Sequence, residues 1–337
     1  MSAADDARTE PHVRNELLQR LPGLRDEELP FHDHEPIKEY LMREVARSNR
    51  AAAPRRSRRP LLFSMGVVAA ACAVAVTFTL NGADGGEPAK AARPDPAAVQ
   101  LLDRVALAAA SLPKPSVRSG QFMYTKTVGH STTLSEIPGG GGRMEAFPSD
   151  QSAERWLSVD GSAGVTTRTA TGSETRPPDV GPPTLNSPTY RFLETLPTDP
   201  DQLLKVIYED TRKQHGADSG STTGPDQQAF VAIGDLLRSV EAPPGLSAAL
   251  YRAAARIPGV VLIPESKDAA GRTGVAVARV HNTERTEWIF DKQSLRLLGS
   301  REVALEDSDW GKAGTVLTSV AVVGRGVTDR PEQLPTP

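Results

Sequence analysis

The amino-acid sequence predicts an α+β fold for the larger, C-terminal part of the chain. Three helix-like segments follow one another in the middle of this part, between about residues 199 and 257. Segments in which apolar and polar residues alternate, as they do in β-strands, stand before and after these helices. Helices grouped between strands are typical of α+β proteins. We therefore expect a curved antiparallel sheet with helices packed on it.

The first part of the chain, residues 1–59, is expected to be a cytoplasmic segment with short amphipathic helices. Ile37, Tyr40, Leu41 and Val45 follow one another at spacings of three and four residues. This spacing places them on one face of a helix of about three turns. A helix of that length is only marginally stable alone in water. Its apolar face is therefore expected to contact the bilayer, a second copy or a cytoplasmic partner protein.

A transmembrane helix is predicted over residues 60–80. Leu61 to Leu80 (LLFSMGVVAAACAVAVTFTL) contain neither a charged residue nor a proline. Twenty helical residues, at about 1.5 Å each, span about 30 Å, which is the thickness of the hydrocarbon core of a bilayer. A secretory signal peptide would begin within the first few residues, whereas a long polar segment precedes this one. The span is therefore expected to remain as a membrane anchor.

A cluster of arginines predicts the orientation of this span. Arg55, Arg56, Arg58 and Arg59 stand directly before it, and residues 43–59 contain seven Arg and one Glu. Positive residues next to a span favour the cytoplasmic side. The N-terminus is therefore expected in the cytoplasm and the C-terminal domain outside it. The same arginines are expected to contact anionic membrane lipid.

Small residues within the span leave the oligomeric state open. Gly66, Ala70 and Ala73 form a stripe that would allow two copies of the helix to approach closely, as in a homodimer. Alanine is common in this sequence, however, so the stripe is weak evidence. The single cysteine, Cys72, also lies in the span. The outer domain is therefore expected to fold without an internal disulfide.

The extracytoplasmic part is expected to be one domain between two less structured segments. Residues 81–94 lack periodicity and are rich in Gly, Ala, Asp and Pro, which predicts a flexible linker. The domain itself is expected over residues 95–325. Residues 326–337 are expected to form a disordered tail.

The first half of this domain contains clear start and turn signals. Asp95 before Pro96 predicts the N-terminus of a helix. The segment QFMYTKTV, residues 121–128, predicts a strand. The Asp160-Gly161 pair between two strand-like segments predicts a hairpin. Residues 172–188, which are rich in Pro and Gly, are expected to form a loop.

The second half is predicted to contain three helices and then a meander of strands. Asp199, Pro200 and Gln202 form a capping box before the first helix, and the other two helices are expected to start at Pro225 and near Pro244. Short connections favour antiparallel pairing of the strands after them. These strands are predicted at Val260 to Ile263, Val275 to Val280, Glu287 to Phe290, Leu295 to Leu305 and Val316 to Val323.

Two stretches resemble a known family: Ser187 to Ile207 (SPTYRFLETLPTDPDQLLKVI) and Thr286 to Val303 (TEWIFDKQSLRLLGSREV). Together with the single span and the segment EYLMREV before it, they are similar to uncharacterised single-pass membrane proteins of actinobacteria. Members of that family are often encoded beside extracytoplasmic-function sigma factors, so the resemblance implies a sigma factor as a partner. The order of elements in the outer domain also resembles periplasmic lipoprotein carriers and sigma-regulator sensor domains.

The sequence offers no motif that predicts an enzyme or a metal site. Ser111 and Lys114 have the Ser-x-x-Lys spacing of some acyltransferring enzymes, but Pro113 breaks the helical turn between them. His32 and His34 are too few ligands for zinc. No basic stripe with interleaved aromatic residues predicts direct nucleic-acid binding. We therefore expect no catalytic residue, cofactor or metal, and no direct nucleic-acid binding.

These observations together predict a membrane-anchored protein with an extracytoplasmic sensing or binding domain. The outer domain would meet an unknown ligand, and the inner segment would contact a cytoplasmic regulatory protein such as a sigma factor. The alternative is a carrier or scaffold that binds an apolar ligand or envelope component without signalling.

Overall fold

The computed structural model describes residues 93–137, 139, 141–215 and 223–336. Within these ranges, the predicted α+β fold with a large antiparallel sheet is confirmed. The predictions for the cytoplasmic segment, the arginine cluster and the span 60–80 lie outside the described residues. Among the described residues, no helix combines the length and the apolarity that crossing a bilayer requires.

The helices begin where the sequence places their caps. The Asp95 carboxylate accepts a hydrogen bond from the Ala97 amide at 3.0 Å, and the Asp199 carboxylate accepts one from the Gln202 amide at 2.9 Å. Both contacts satisfy amides that the first turn of a helix leaves free. The helices are α1 (Pro96–Ala110), α2 (Tyr190–Leu193), α3 (Pro200–His215), α4 (Pro225–Ser239) and α5 (Pro244–Ala254).

Ten strands form one antiparallel sheet in the order β5-β4-β3-β1-β10-β9-β8-β7-β6, and β2 pairs with the far half of β1. The predicted meander is confirmed as the run from β6 to β10. The strands are β1 (Phe122–Glu136), β2 (Met144–Asp150), β3 (Ala153–Ser158), β4 (Val165–Thr169), β5 (Gly172–Arg176), β6 (Val260–Lys267), β7 (Thr273–His281), β8 (Glu284–Phe290), β9 (Leu297–Ala304) and β10 (Val316–Thr328).

Two segments are more ordered than the sequence predicted. Strand β5 lies in residues 172–188, which were expected to form a loop, and all five of its residues are exposed. An exposed edge strand needs no apolar alternation, so the usual signal is missing. The last strand also continues past residue 325 to Thr328. Beyond it, the Gln333 carbonyl accepts a hydrogen bond from Trp156 Nε1 at 2.7 Å.

The main core lies between the helices and one face of the sheet. Phe230 of α4 stacks on Trp288 of β8 with ring centroids 4.0 Å apart, and Tyr251 of α5 meets Phe290 edge-on. This close approach requires Gly234 in α4, because a Cβ atom there would lie 2.5 Å from Trp288 Nε1. The contact fixes α4 against the centre of the meander.

Among the described residues, the opposite face of the sheet carries two smaller apolar clusters and no helix-covered core. One consists of Phe122, Tyr124 and Trp156, and the segment after β10 reaches it through Gln333. The other consists of Ala276, Ile289 and Leu298. Since neighbouring residues of a strand point to opposite faces, Trp288 and Ile289 serve the two different cores.

A buried ion cluster lies on β8 and β9 beside the second of these apolar clusters. The Glu287 carboxylate is fully buried and accepts hydrogen bonds from Arg285 Nε at 2.8 Å, Arg301 Nε at 2.9 Å and the Ser266 hydroxyl at 2.6 Å. Burial acts to raise the pKa of Glu287, but the bonds from Arg301 and Ser266 outweigh it and hold the pKa below its usual range. This charge is therefore fully satisfied.

Candidate functional site

A cleft of about 630 Å³ lies between the helices and the sheet in the described part of the chain. Its volume falls within the range of small-molecule sites. It opens where β9 and β10 separate. Five parts of the chain line it: the end of α1 with the residues that follow (Ala108, Ala109, Leu112, Pro113, Pro115), the end of α4, the connection and the start of α5 (Leu237, Glu241, Ala242, Pro244, Ser247, Tyr251), Arg272, the β8–β9 hairpin with the start of β9 (Asp291, Ser294, Leu295, Arg296, Leu297, Leu298) and β10 (Val322, Val323, Gly324, Arg325).

The cleft exists because the ladder between β9 and β10 stops early. The two strands pair from Val316 opposite Val303 to Ala321 opposite Gly299. From residue 322 onward, β10 pairs only with β1 on its other side. A register shift in the β8–β9 ladder, between Ile289 and Phe290, accompanies this separation. The sheet is therefore forked, and the cleft begins at the fork.

Arg272 holds the fork at a fixed width. Its Nη2 atom donates to the Leu298 carbonyl of β9 at 2.8 Å and to the Val322 carbonyl of β10 at 2.9 Å. Its Nε atom donates to the buried Asp268 carboxylate at 2.7 Å. The Arg272 guanidinium thus takes the place of hydrogen bonds that β9 and β10 do not make with each other here. It satisfies carbonyls that would otherwise lack a partner. The geometry of the cleft is therefore built in before any ligand arrives.

One wall of the cleft is apolar. Ala108, Ala109 and Leu112 form it at the end of α1, and Leu237 and Ala242 continue it from α4 toward α5. Tyr251 reaches the cleft from the core, where burial raises the pKa of its hydroxyl to about 12. It is therefore a neutral hydroxyl at physiological pH. This wall can contact an apolar group of a ligand without desolvating a charge.

The other wall carries guanidinium groups with unused hydrogen-bond donors. The Arg325 Nη2 atom donates to the Leu237 carbonyl, but its buried Nε atom has no acceptor among the described residues. Burial lowers the pKa of Arg325, nearby Tyr251 and Glu241 act to raise it, and the positive charge of Arg296 acts to lower it further. Arg296 and Arg325 therefore lie close enough to repel each other.

The Asp291 carboxylate, which lines the cleft together with Arg296, accepts hydrogen bonds from its own turn. Asp291 begins the β8–β9 turn, and its Oδ1 atom accepts from the Ser294 amide at 2.7 Å, the Ser294 hydroxyl at 2.8 Å and the Gln293 amide at 3.1 Å. These contacts hold the pKa of Asp291 below its usual range. Glu241 remains as the acid that faces Arg325. The lining of the cleft thus contains Arg296 and Arg325 beside two carboxylates, those of Asp291 and Glu241.

A second polar group lies away from the cleft, on β8 and β9. The Glu284 and Glu302 carboxyl groups share a hydrogen bond, and burial together with the charge of Glu284 raises the pKa of Glu302 to about 7. Two carboxyl groups in contact hold a proton between them more tightly than either would alone. No group of three or more His, Cys, Asp or Glu within the described residues is placed to hold a metal ion.

The sequence-predicted site residues and the cleft do not coincide. The predicted docking residues, Ile37, Tyr40, Leu41 and Val45, and the predicted boundaries and topology residues, Leu61, Leu80, Arg55, Arg56, Arg58 and Arg59, all lie outside the described residues. The Ser-x-x-Lys pair is drawn apart, because the Ser111 hydroxyl donates to the Ala108 carbonyl and Lys114 pairs with Glu194 at 2.8 Å. Sequence reasoning missed the cleft, since its lining residues come from five separated segments without a shared motif.

Comparison with known proteins gave no match: no protein-family model, no curated protein and no solved structure matches this chain.

Proposed function

We propose that the chain is a membrane-anchored protein whose extracytoplasmic domain binds a small ligand in the cleft at the sheet fork. The observation that carries this proposal is the cleft itself, with a volume of about 630 Å³. Its width is set by Arg272, one wall is apolar, and the other carries guanidinium donors without a partner among the described residues. Such a combination of apolar surface and a few convergent polar groups is typical of ligand sites. The role is binding, without a catalytic residue.

The location proposed for this domain rests on the sequence. Leu61 to Leu80 would cross the bilayer once, and Arg55, Arg56, Arg58 and Arg59 would keep the N-terminus in the cytoplasm. The linker 81–94 would then connect the span to the domain outside. Gly66, Ala70 and Ala73 would provide the contact if two copies associate in the membrane.

The signal, in this proposal, passes to the cytoplasmic helix that carries Ile37, Tyr40, Leu41 and Val45. A short helix with one apolar face needs a partner to be stable. The resemblance to single-pass membrane proteins encoded beside sigma factors makes a sigma factor the partner that we propose. A separate likeness of the outer domain to lipoprotein carriers and sigma-regulator sensor domains, in which helices pack on a curved antiparallel sheet, rests on the order of its elements.

A second candidate function is a carrier or scaffold without signalling. The apolar wall at the end of α1 and at the start of the α4–α5 connection favours it, because this wall would suit an apolar molecule or part of one. The two functions differ in what happens inside the cell. Only a sensor requires the cytoplasmic segment to contact a regulator.

The membrane orientation is tested by chemical labelling in intact cells. In a Cys72→Ser background, Ser173→Cys places a thiol on the exposed edge strand β5, and Ser48→Cys places one before the arginine cluster. A membrane-impermeant maleimide is expected to label residue 173 in intact cells and residue 48 only after permeabilisation. The reverse pattern would overturn the topology.

Ligand binding is tested with matched variants at the end of α1. Ala109 lines the cleft, whereas its neighbour Ala110 is exposed and does not. Full chains carrying Ala109→Trp or Ala110→Trp are purified in lipid particles, and the small molecules bound to them are compared with those of the unchanged chain by mass spectrometry. We expect a molecule that is lost only with Ala109→Trp. Identical contents in all three would count against the cleft.

The cytoplasmic contact is tested with the full chain in its membrane. Crosslinked partners of the unchanged protein are compared with those of an Ile37→Asp, Leu41→Asp double variant, which disrupts the apolar face. We expect a cytoplasmic regulator to be recovered with the unchanged chain alone. Recovery of the same proteins with both chains would favour the carrier.

A further inference from the structure

We infer that the ligand of the cleft is an amphiphile with an anionic head group, such as a carboxylate, that binds Arg296 and Arg325. This inference rests on the proposed function and specifies the class of ligand. It follows from the unused hydrogen-bond donors of one wall and the apolar surface of the other.

The charged groups at the cleft balance within the protein. Arg272 is paired with Asp268, with a separation of 2.6 Å between Nη2 and Oδ2. Asp291 keeps its negative charge, because its Oδ1 atom accepts from the uncharged donors of Ser294 and Gln293, and Glu241 is a second acid in the lining. An anionic head group is therefore favoured by the unused hydrogen-bond donors of Arg296 and Arg325, and not by a net charge of the cleft.

The two guanidinium groups are also available to a ligand. Arg296 is exposed, and its side chain makes no ion pair with another described residue. Arg325 has one hydrogen-bonding edge committed to the Leu237 carbonyl, while its Nε atom lacks an acceptor. The two arginines line the same cleft, one on β10 and the other in the β8–β9 hairpin, and charge-assisted hydrogen bonds from guanidinium groups are among the stronger ones in proteins. Their mutual repulsion would be relieved by an anion between them.

The apolar wall indicates that the ligand is more than a small anion. Ala108, Ala109 and Leu112 face the same cavity as the arginines, and Leu297 and Val322 lie at its sheet side. A purely apolar ligand would shield the arginines from water without compensating their charge, which is costly. A small inorganic anion would leave the apolar wall uncovered. An amphiphile would contact the apolar wall with its chain and the two arginines with its head group.

Photochemical crosslinking of the full chain in lipid particles tests this inference. The probe is dodecanoate with a diazirine in its chain, and the labelled site is mapped by peptide sequencing. We expect labelling of peptides that contain Leu112 or Leu297. Unlabelled dodecanoate should compete at least tenfold better than dodecanol, since the alcohol cannot form the charged contacts.

A set of arginine variants separates the head-group contact from a general loss of structure. Arg296→Gln is expected to weaken competition by dodecanoate about tenfold and to leave competition by dodecanol unchanged. Arg296→Lys keeps the charge and is expected to recover part of the loss. Arg330→Gln, on an exposed residue outside the cleft, serves as the matched control and should bind as the unchanged chain does.

Each outcome has a distinct meaning. If dodecanol competes as well as dodecanoate, or Arg296→Gln has no effect, the anionic head group is overturned while ligand binding in the cleft stands. If the probe labels no cleft peptide but Ala109→Trp still removes a co-purified molecule, the amphiphile is again overturned and the binding function stands. If both experiments fail at the cleft, the proposed function fails as well.

Discussion

Two groups of charges in the same sheet differ in how completely the protein satisfies them. At Glu287, one buried carboxylate faces Arg285 and Arg301, and the Ser266 hydroxyl adds a further bond. At the cleft, Arg296 makes no ion pair with another described residue, and the buried Nε atom of Arg325 has no acceptor among the described residues. The first group lies where β8 and β9 are fully paired, and the second lies where β9 and β10 have separated.

This difference distinguishes structural charges from charges available to a ligand. A buried charge with all its hydrogen bonds made internally has nothing left to offer another molecule, and its removal affects stability. A partly exposed charge with unused donors contributes little to stability and can bind an anion. Arg272 stands between the two kinds, because it is satisfied internally but shapes the cleft. The predictions below test this distinction.

The largest effect is expected at the buried cluster. Glu287→Gln removes the charge that compensates Arg285 and Arg301 and should lower the free energy of unfolding by about 3 kcal/mol. Urea denaturation of the full chain, followed by circular dichroism, measures it. Glu265→Gln, which affects an exposed pair with Lys292 at 3.4 Å, is the control and should change stability by less than about 0.5 kcal/mol.

The acid limb of the pH profile sharpens this result. The pKa of Glu287 is held below its ordinary value of 4.5, so its contribution is present above that pH and is lost as the pH falls through the lower, folded-state value. The difference between the unchanged chain and Glu287→Gln should therefore shrink in acid. A constant difference down to the acid transition would contradict the ion cluster.

A smaller loss of stability is expected when Arg272, which bridges β9 and β10, is removed. Arg272→Ala leaves Asp268 without its ion pair and the Leu298 and Val322 carbonyls without a donor, and should cost about 2 kcal/mol. It should also weaken binding of any cleft ligand, because the width of the fork is no longer fixed. Hydrogen exchange of residues 297–299 and 322–325 measures the loosening. Unchanged exchange there would show that other contacts hold the fork.

A pH-dependent effect of about 1 kcal/mol is expected at Glu302. Its pKa is raised to about 7 by burial and by Glu284, so the folded protein binds this proton more tightly than the unfolded chain does. The contribution of Glu302 to stability is therefore fully present below its ordinary pKa, and it is lost as the pH rises through about 7. Glu302→Gln should be more stable than the unchanged chain at alkaline pH and similar at about pH 4. Equal pH profiles would contradict the carboxyl pair.

The smallest effect on stability is expected at the cleft charge itself. Arg296→Gln should change the free energy of unfolding by less than about 0.5 kcal/mol, since its side chain makes no ion pair with a described residue. Thermal unfolding beside Glu287→Gln provides the direct comparison. A loss comparable to that of Glu287→Gln would place Arg296 with the structural charges and remove the distinction.

The elements with strong local signals could be predicted from the sequence. Asp95 and Asp199 cap helices as their residue types indicate, and the alternation of apolar residues after Val260 predicted the meander from β6 to β10. Strand β5 was missed, because all of its residues are exposed and no apolar pattern marks it. Local sequence signals therefore identify the helices and strands that bury one face.

The cleft could not be predicted in this way, because it depends on contacts distant in sequence. Arg272 contacts Leu298 and Val322, which are 26 and 50 residues away in the sequence. No local sequence pattern predicts the fork that these hydrogen bonds bridge. The charge of Arg296 can be read from the sequence. That it makes no ion pair with another described residue cannot. Compensation of charge is a property of the tertiary structure.

The contact between Trp156 and the segment after β10 has a spectroscopic consequence. Trp156 is buried on the face opposite the described helices and donates to the Gln333 carbonyl, whereas Trp288 is buried under α4 against Phe230. Each indole therefore has a different face of the sheet as its environment. With Trp310 replaced by Phe, two emission signals would remain, one for the helix layer and one for the docking of the chain's last residues. Opening on one face of the sheet could then be followed separately from opening on the other.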